Sequence, residues 1–331
     1  MKLTKHFVTL FSSPVVISAL LLATACDAEP ELEAPDQPDQ NGPEEAPVEL
    51  RPGVANGSGV YLNTSVIGAD EVDLTKVLHA EVKLVSVKIK VGNKLQLLDS
   101  VWAVEGELFG KIGATTYSGS AFLGAEVRVR LYTQKYYNVE VPYTIATFTP
   151  ATVDEMPRYT FKYWDGSAHK YLCAPDSVEA AAAIVLDSFS VNKTTGDITT
   201  RPNTIYLGCA SGAVGKAPTW GYTPWGLGLA DFEAMVRMVR ADYCGDGVSW
   251  TVPGRAVTIE DVWGINSFAA QAGATEAIWG PSGALCIGQP REPSITAASV
   301  VCGGVPVPAC PADVSLATYP EALAWLKSAA Q

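Results

Sequence analysis

The side chains with the most chemistry to offer are a few acids, a few aromatics and the cysteines. Asp242 and Asp246 bracket a glycine-rich turn in Val239-Arg240-Ala241-Asp242-Tyr243-Cys244-Gly245-Asp246-Gly247, and Glu260 follows downstream. Two carboxylates suffice for glycoside cleavage when the fold sets them on opposite sides of the scissile bond. The spacing of these three does not by itself oppose any two. Histidine offers little: beyond a leader that contains His6, the chain has His79 and His169, and His169 sits on a strand-like segment with no second partner in sequence reach. A nucleophilic serine lacks its elbow, because Gly280-Pro281-Ser282-Gly283 misses the second glycine at the required spacing. No phosphate-binding loop or dinucleotide fingerprint occurs, so no cofactor is expected. Trp220, Tyr222 and Trp225 are interleaved with Gly and Pro. Exposed, they would form a sugar-binding platform, but rings of this size more commonly bury, and packing around loops is expected.

The chain has seven cysteines, at 26, 173, 209, 244, 286, 302 and 310. Lys2 and Lys5 precede an apolar run from Phe7 to Leu22, closed by Ala23-Thr24-Ala25-Cys26, so 1–25 reads as an export signal. Small residues before a cysteine suit lipoprotein processing, and Ala-x-Ala also suits ordinary cleavage. The expectation is that Cys26 becomes an acylated N-terminus held in a membrane; without acylation the protein is secreted. Using Cys26 for lipid leaves Cys173, Cys209, Cys244, Cys286, Cys302 and Cys310, an even set that an oxidising compartment would pair. Six cysteines allow fifteen connectivities. Cys302 and Cys310 share a Gly/Pro-rich stretch, which makes a local Cys302–Cys310 bridge the simplest expectation. Metal ligation is not expected, since no CxxC pair occurs and histidines are few.

Residues 26–57 read as a disordered, Pro-rich acidic tether, with nine Asp or Glu against one Arg between Asp27 and Arg51. With Lys2 and Lys5 removed, 21 basic residues stand against 35 acidic ones, and the tether carries most of the excess. The folded remainder is only mildly acidic, which argues against nucleic acid as a partner. An envelope or extracellular ligand is the partner class left, besides the membrane itself.

The elements that would position these residues can be read from periodicity. Asp231 is a plausible N-cap for a helix in which Phe232, Met235, Val236, Val239 and Tyr243 share one face, with Gly245 ending it. Asp242, near the negative end of that helix dipole, should need an arginine or the N–H groups of the Gly245–Gly247 turn as partners. The run Asp242 to Gly247 lacks the alternating oxygen ligands of a calcium loop. Alternation at Val85–Val91 and Ala125–Leu131 predicts strands, and Asp165-Gly166 predicts a hairpin between Tyr159–Trp164 and Ala168–Cys173. Thr258 and Asp261 in capping-box spacing predict a second helix over Thr258–Ile265, and Thr318 and Pro320 a final one through Leu326. The fold class expected is α+β: a β-rich region over 58–155, a disulfide-braced α+β domain over 156–290, and a Cys/Pro-rich tail over 291–331 with its own helix.

The motif from Val239 to Gly247, with Trp220-Gly221-Tyr222-Thr223-Pro224-Trp225 and Trp279-Gly280-Pro281-Ser282-Gly283-Ala284-Leu285-Cys286, resembles the ADYC domain. That family comprises exported bacterial, largely myxobacterial, proteins with no established activity. The resemblance makes Asp242, Tyr243, Asp246, Trp220 and Trp225 the motif residues to follow. It also implies a lost pair of cysteines, because members often carry them where Ala217 and Met235 stand here, and joint loss is what a disulfide would show. The function expected is an envelope lipoprotein acting as a non-catalytic binding or structural module. A carboxylate-dependent, glycan-directed hydrolase using Asp242, Asp246 and Glu260 is the alternative.

Overall fold

A computed structural model describes residues 56–75, 81–133, 135–152, 156–174, 181–266, 274–311 and 326–330. The expected leader, Cys26, most of the expected tether, His79 and most of the expected final helix lie outside the described residues. Within them the chain is strand-dominated, with three short α-helices, so the α+β expectation is corrected. The error has a physical source: pairing over long sequence distance, which a local pattern does not report, closes seven of the strands into a barrel.

Seven strands build that barrel: β1 (Glu71–Asp73), β2 (Val82–Val91), β3 (Glu126–Tyr132), β4 (Tyr137–Thr149), β5 (Arg158–Trp164), β6 (Ala182–Val191) and β7 (Ile198–Cys209). Each pairs with the next, and β7 returns to β1. A closed ring of purely antiparallel neighbours needs an even number of strands. With seven, one joint must be parallel, and it is the β1/β2 seam, where the register is only Val72 to Val82 and Asp73 to Lys83. A register shift between Leu84 and Ser86 turns Leu84 and Val87 to the same buried side of β2. The barrel is filled by its own side chains. Val101, Leu108 and Phe122, from the segments between β2 and β3, join Val72, Tyr143 and Leu207 around an apolar cavity of about 40 Å³. That is room for no more than a few water molecules.

After β7 come α1 (Ala213–Thr219), α2 (Pro224–Leu227) and α3 (Leu229–Arg240). A second sheet follows, made of β8 (Ala256–Asp261), β9 (Thr275–Gly280), β10 (Gly283–Ile287) and β11 (Leu326–Ala330). Its order is Asn56–Gly57, β8, β11, β9, β10, so β11 is a central strand. Helix α3 buries Phe232, Met235, Val236 and Val239, spaced as expected, against outer residues of the barrel wall and inner residues of the second sheet. This explains the unbroken apolar run in β6: Ala183 and Val185 enter the barrel core while Ile184 and Leu186 face the α3 core.

Four local expectations are corrected. The N-cap of α3 is Gly228, with Asp231 in the first turn. The helix stops at Arg240 rather than running to Gly245, because Ala241 adopts a left-handed conformation (φ 51°). Thr258–Asp261 is strand, not helix: Val257, Thr258 and Ile259 are buried and paired with Ala330, Ala329 and Ser328 of β11, and the Asp261 carboxylate accepts from the N–H groups of Trp263, Ile265 and Asn266 in the turn that follows. Residues 326–330, at the edge of the expected final helix, are strand β11.

Candidate functional site

The motif after α3 is a helix-ending device. The Asp242 N–H donates to the Arg237 carbonyl (2.9 Å) and the Ala241 N–H to that of Met238 (3.0 Å), the double bond pattern that closes a helix through a left-handed residue. Glycine is the usual residue there; alanine is used here with its methyl fully buried in the α3 core. Asp242 itself is fully buried. Its Oδ1 accepts from the Asp246 N–H (3.1 Å), and its Oδ2 from the Gly247 N–H (3.0 Å) and from Arg237 Nη1 (3.0 Å). Both kinds of partner expected from the sequence are therefore present. Burial pushes the Asp242 carboxyl above the ordinary aspartate value, while the guanidinium groups of Arg237 and Arg240 pull the other way. Arg237 spends all five N–H donors, on Glu233, Asp197, Asp242 and the carbonyls of Thr195 and Pro281.

Asp242→Ala should cost about 1–3 kcal/mol, because it strands two turn N–H groups and one guanidinium donor. Thermal unfolding with and without calcium checks this. Unchanged stability would remove the structural role, and a calcium-dependent rise in the parent that the variant loses would make the turn a metal site instead.

Tyr243 points the other way, into a second buried network that the sequence did not reveal. Its ring stacks on Trp279 at 5.3 Å between centroids, and its hydroxyl donates to Glu276 Oε1 (2.7 Å). Burial pushes the phenol far above its ordinary value, and the Glu276 charge adds to the effect. Glu276 and Arg291 form a bidentate ion pair with both side chains wholly inaccessible: Nε to Oε1 at 2.6 Å and Nη2 to Oε2 at 2.8 Å. Ser328 Oγ of β11 donates to Glu276 Oε2 (2.7 Å), and Arg291 also donates to Ser58 Oγ and the Met238 carbonyl. One ion pair thus ties the end of α3 to β9, to the central strand β11 and to Ser58 beside the Asn56–Gly57 edge. The sequence signal was available: Glu276 stands in Thr275-Glu-Ala-Ile-Trp-Gly280, a strand without the alternation that would put an acid in water. The motif glycines serve the same packing. A Cβ on Gly247 (φ 87°) would collide with the Thr194 carbonyl oxygen, and one on Gly245 (φ 65°) with that of Ser282.

The described surface is concave and polar at the barrel seam. A groove of about 320 Å³ is lined by Asp70 and Glu71, by Glu81 and Val82, by Ser190 to Thr194, and by Arg201. Asp70 is buried, and Lys193 Nζ lies 3.5 Å from its Oδ1 and 2.6 Å from Glu81 Oε2. Arg201 and Ser190 Oγ both donate to Glu71. None of Asp242, Asp246 or Glu260 lines this groove.

A family model of the ADYC domain matches residues 119–293, more than half of the chain. The chain belongs to the ADYC domain family. No match is found among curated proteins or among solved structures. The ADYC match takes in β3 to β7, the three helices and β8 to β10, and leaves β1, β2 and β11 outside it.

All six cysteines expected to pair do so, in the combinations Cys173–Cys209, Cys244–Cys302 and Cys286–Cys310. The local Cys302–Cys310 bridge is corrected. Cys302 packs at the edge of the α3 core beside Cys244, whereas Cys310 joins a separate small cluster with Ile278 and Cys286, so proximity in sequence gives way to the partner each core supplies. Two of the bridges consequently fasten a segment beyond the ADYC match to residues inside it.

The other motif residues of the ADYC domain divide by exposure. Trp220 and Tyr222 are buried in the α3 core, and the Tyr222 hydroxyl donates to Asp261 Oδ2 (2.7 Å). Trp225, on α2, is partly open to solvent at 37% exposure, so the aromatic block forms no continuous platform. Asp246 lies in an exposed turn and accepts from the Val248 N–H (3.0 Å). His169 is exposed on the predicted hairpin and meets the Trp164 ring edge-on at 5.2 Å. Ala217 on α1 and Met235 on α3 are both fully buried in the same core, on helices that pack together.

Proposed function

We propose that this ADYC protein is a non-catalytic binding module of the cell envelope, held to a membrane by an acyl chain on Cys26. The observation that carries the reading is the state of the motif acid. Asp242 is fully buried, with both oxygens engaged by groups that hold the α3 turn. A hydrolytic carboxylate has to reach a substrate bond with a second acid facing it. Asp242 is instead spent on architecture, and Asp246 serves an exposed turn, so the binding reading stands ahead of hydrolysis by Asp242, Asp246 and Glu260. Three disulfides fit a module that works in an oxidising compartment. Among the described residues no helix is long and apolar enough to cross a membrane. The small residues ahead of Cys26 with the acidic tether after it are what an acylated anchor would use.

Cys26→Ser should move the protein from the membrane fraction to the soluble fraction of the cell envelope. Membrane association unchanged by that substitution overturns the anchor. Incubation of the parent with envelope polysaccharide should yield retention without new reducing ends; reducing ends that disappear in Asp246→Asn would establish the hydrolase instead.

A further inference from the structure

The groove at the barrel seam holds a carboxylate that its own residues leave incomplete. Asp70 is 5% exposed, and its Oδ1 receives no hydrogen bond. The nearest cation, Lys193 Nζ, stands 3.5 Å off and donates instead to Glu81 Oε2 at 2.6 Å. Glu71, beside it, is satisfied by Arg201 and Ser190. A buried acceptor that has an ion-pair partner but receives no hydrogen bond is under-satisfied, so a better-placed donor from outside is favoured at this oxygen. The groove contains three acids, Asp70, Glu71 and Glu81, against two cations, Lys193 and Arg201, so it favours a cationic ligand over an anionic one. Among the described residues no three His, Cys, Asp or Glu side chains are gathered to hold a metal ion.

An ammonium already tests the geometry. Burial favours the neutral amine of Lys193, yet Asp70 and Glu81 outweigh it and hold the lysine above its ordinary value. The Lys193 side chain is half exposed and hangs from the turn after β6, so it can swing into solvent without disturbing the barrel. Asn192, Thr194 and Ser190 line the rest of the groove with neutral hydrogen-bonding groups. We propose that the groove binds a small polar molecule through its primary ammonium group, donated to Asp70 Oδ1 and Glu81, with Lys193 as the tethered ammonium that occupies the site until the ligand displaces it. The proposal rests on the binding-module reading and specifies its ligand class. The same ammonium chemistry occurs on amino sugars and on ethanolamine headgroups.

Titration of the full mature chain by NMR or calorimetry, with glucosamine, its neutral twin N-acetylglucosamine and ethanolamine as probes, tests this. Saturable binding of an amine is expected, with none of N-acetylglucosamine. Glucosamine binding more tightly assigns the sugar source, and ethanolamine binding more tightly the headgroup source. Asp70→Asn should weaken amine binding by about tenfold or more. Lys193→Met, a change at the surface, should strengthen it several-fold by removing the internal competitor. The sign of the lysine variant decides the matter, because weaker binding in Lys193→Met would mean that the site reads anions through Lys193 and Arg201, and overturns the proposal. Absence of a saturable response to either amine also overturns it, and leaves the membrane-fraction and polysaccharide tests of the binding-module reading untouched.

Discussion

Arg291→Met should destabilise the protein by about 3–5 kcal/mol, the cost of leaving a buried charge without its partner. Arg291 is enclosed by the α3 terminus, Ser58 and the second sheet, and its removal leaves the Glu276 carboxylate with only the Tyr243 and Ser328 hydroxyls as donors. The carbonyl of Met238 loses its cationic cap in the same change. Glu276→Leu combined with Arg291→Met should recover part of the loss, since the orphaned charge is gone while those hydroxyls are left unpaired. Denaturant unfolding of the parent, the single variant and the double variant checks both statements. A single-variant loss below about 1 kcal/mol would mean that water reaches Glu276 and that the network does not bear the stability assigned to it.

Removing the Cys244–Cys302 bridge by alanine at both positions should cost about 4 kcal/mol in the chain-entropy account of disulfides. The bridge spans 58 residues of sequence, so cutting it frees a long loop in the unfolded chain. It also fastens the turn that carries Asp242 and Tyr243 to the segment beyond Pro290. The melting temperature should fall on the order of 10 °C under oxidising conditions. The corresponding change at Cys173 and Cys209 opens a shorter loop, of 36 residues, that ends on the barrel strand β7, and should cost less. Equal losses for the two pairs would show that native packing, not loop length, sets the contribution.

Local chemistry was legible in the sequence where a short pattern determines it. The apolar face of α3 follows from Phe232, Met235, Val236 and Val239, and the hairpin from Asp165-Gly166 between two β-rich runs. The partners of Asp242 were legible too, because a helix terminus and a glycine turn leave few groups within reach of a short side chain. Barrel closure was not, since β1 is three residues long and its pairing with β7 joins residues over 130 positions apart in the chain. Thr258 misled because Asp261 has the spacing of a capping box, yet its oxygens cap the following turn rather than a helix start. The Glu276–Arg291 pair escaped because single charged residues carry no period, and only the absence of alternation around Glu276 marks it.

The bridges have a bearing on how the molecule must be made. In order along the chain the six cysteines are 173, 209, 244, 286, 302 and 310, and the last four are crossed, with Cys244 joined to Cys302 and Cys286 to Cys310. With Cys26 acylated as proposed, an oxidant that links thiols in the order in which they cross a membrane makes the first bond correctly. It then makes the other two wrongly, as Cys244–Cys286 and Cys302–Cys310. The native set requires either that α3 and the second sheet assemble before their thiols are oxidised, or that a thiol–disulfide isomerase in the same compartment reshuffles the first products. A host that oxidises quickly and isomerises poorly would deliver chains with a correctly bridged barrel and a second sheet locked out of register with it.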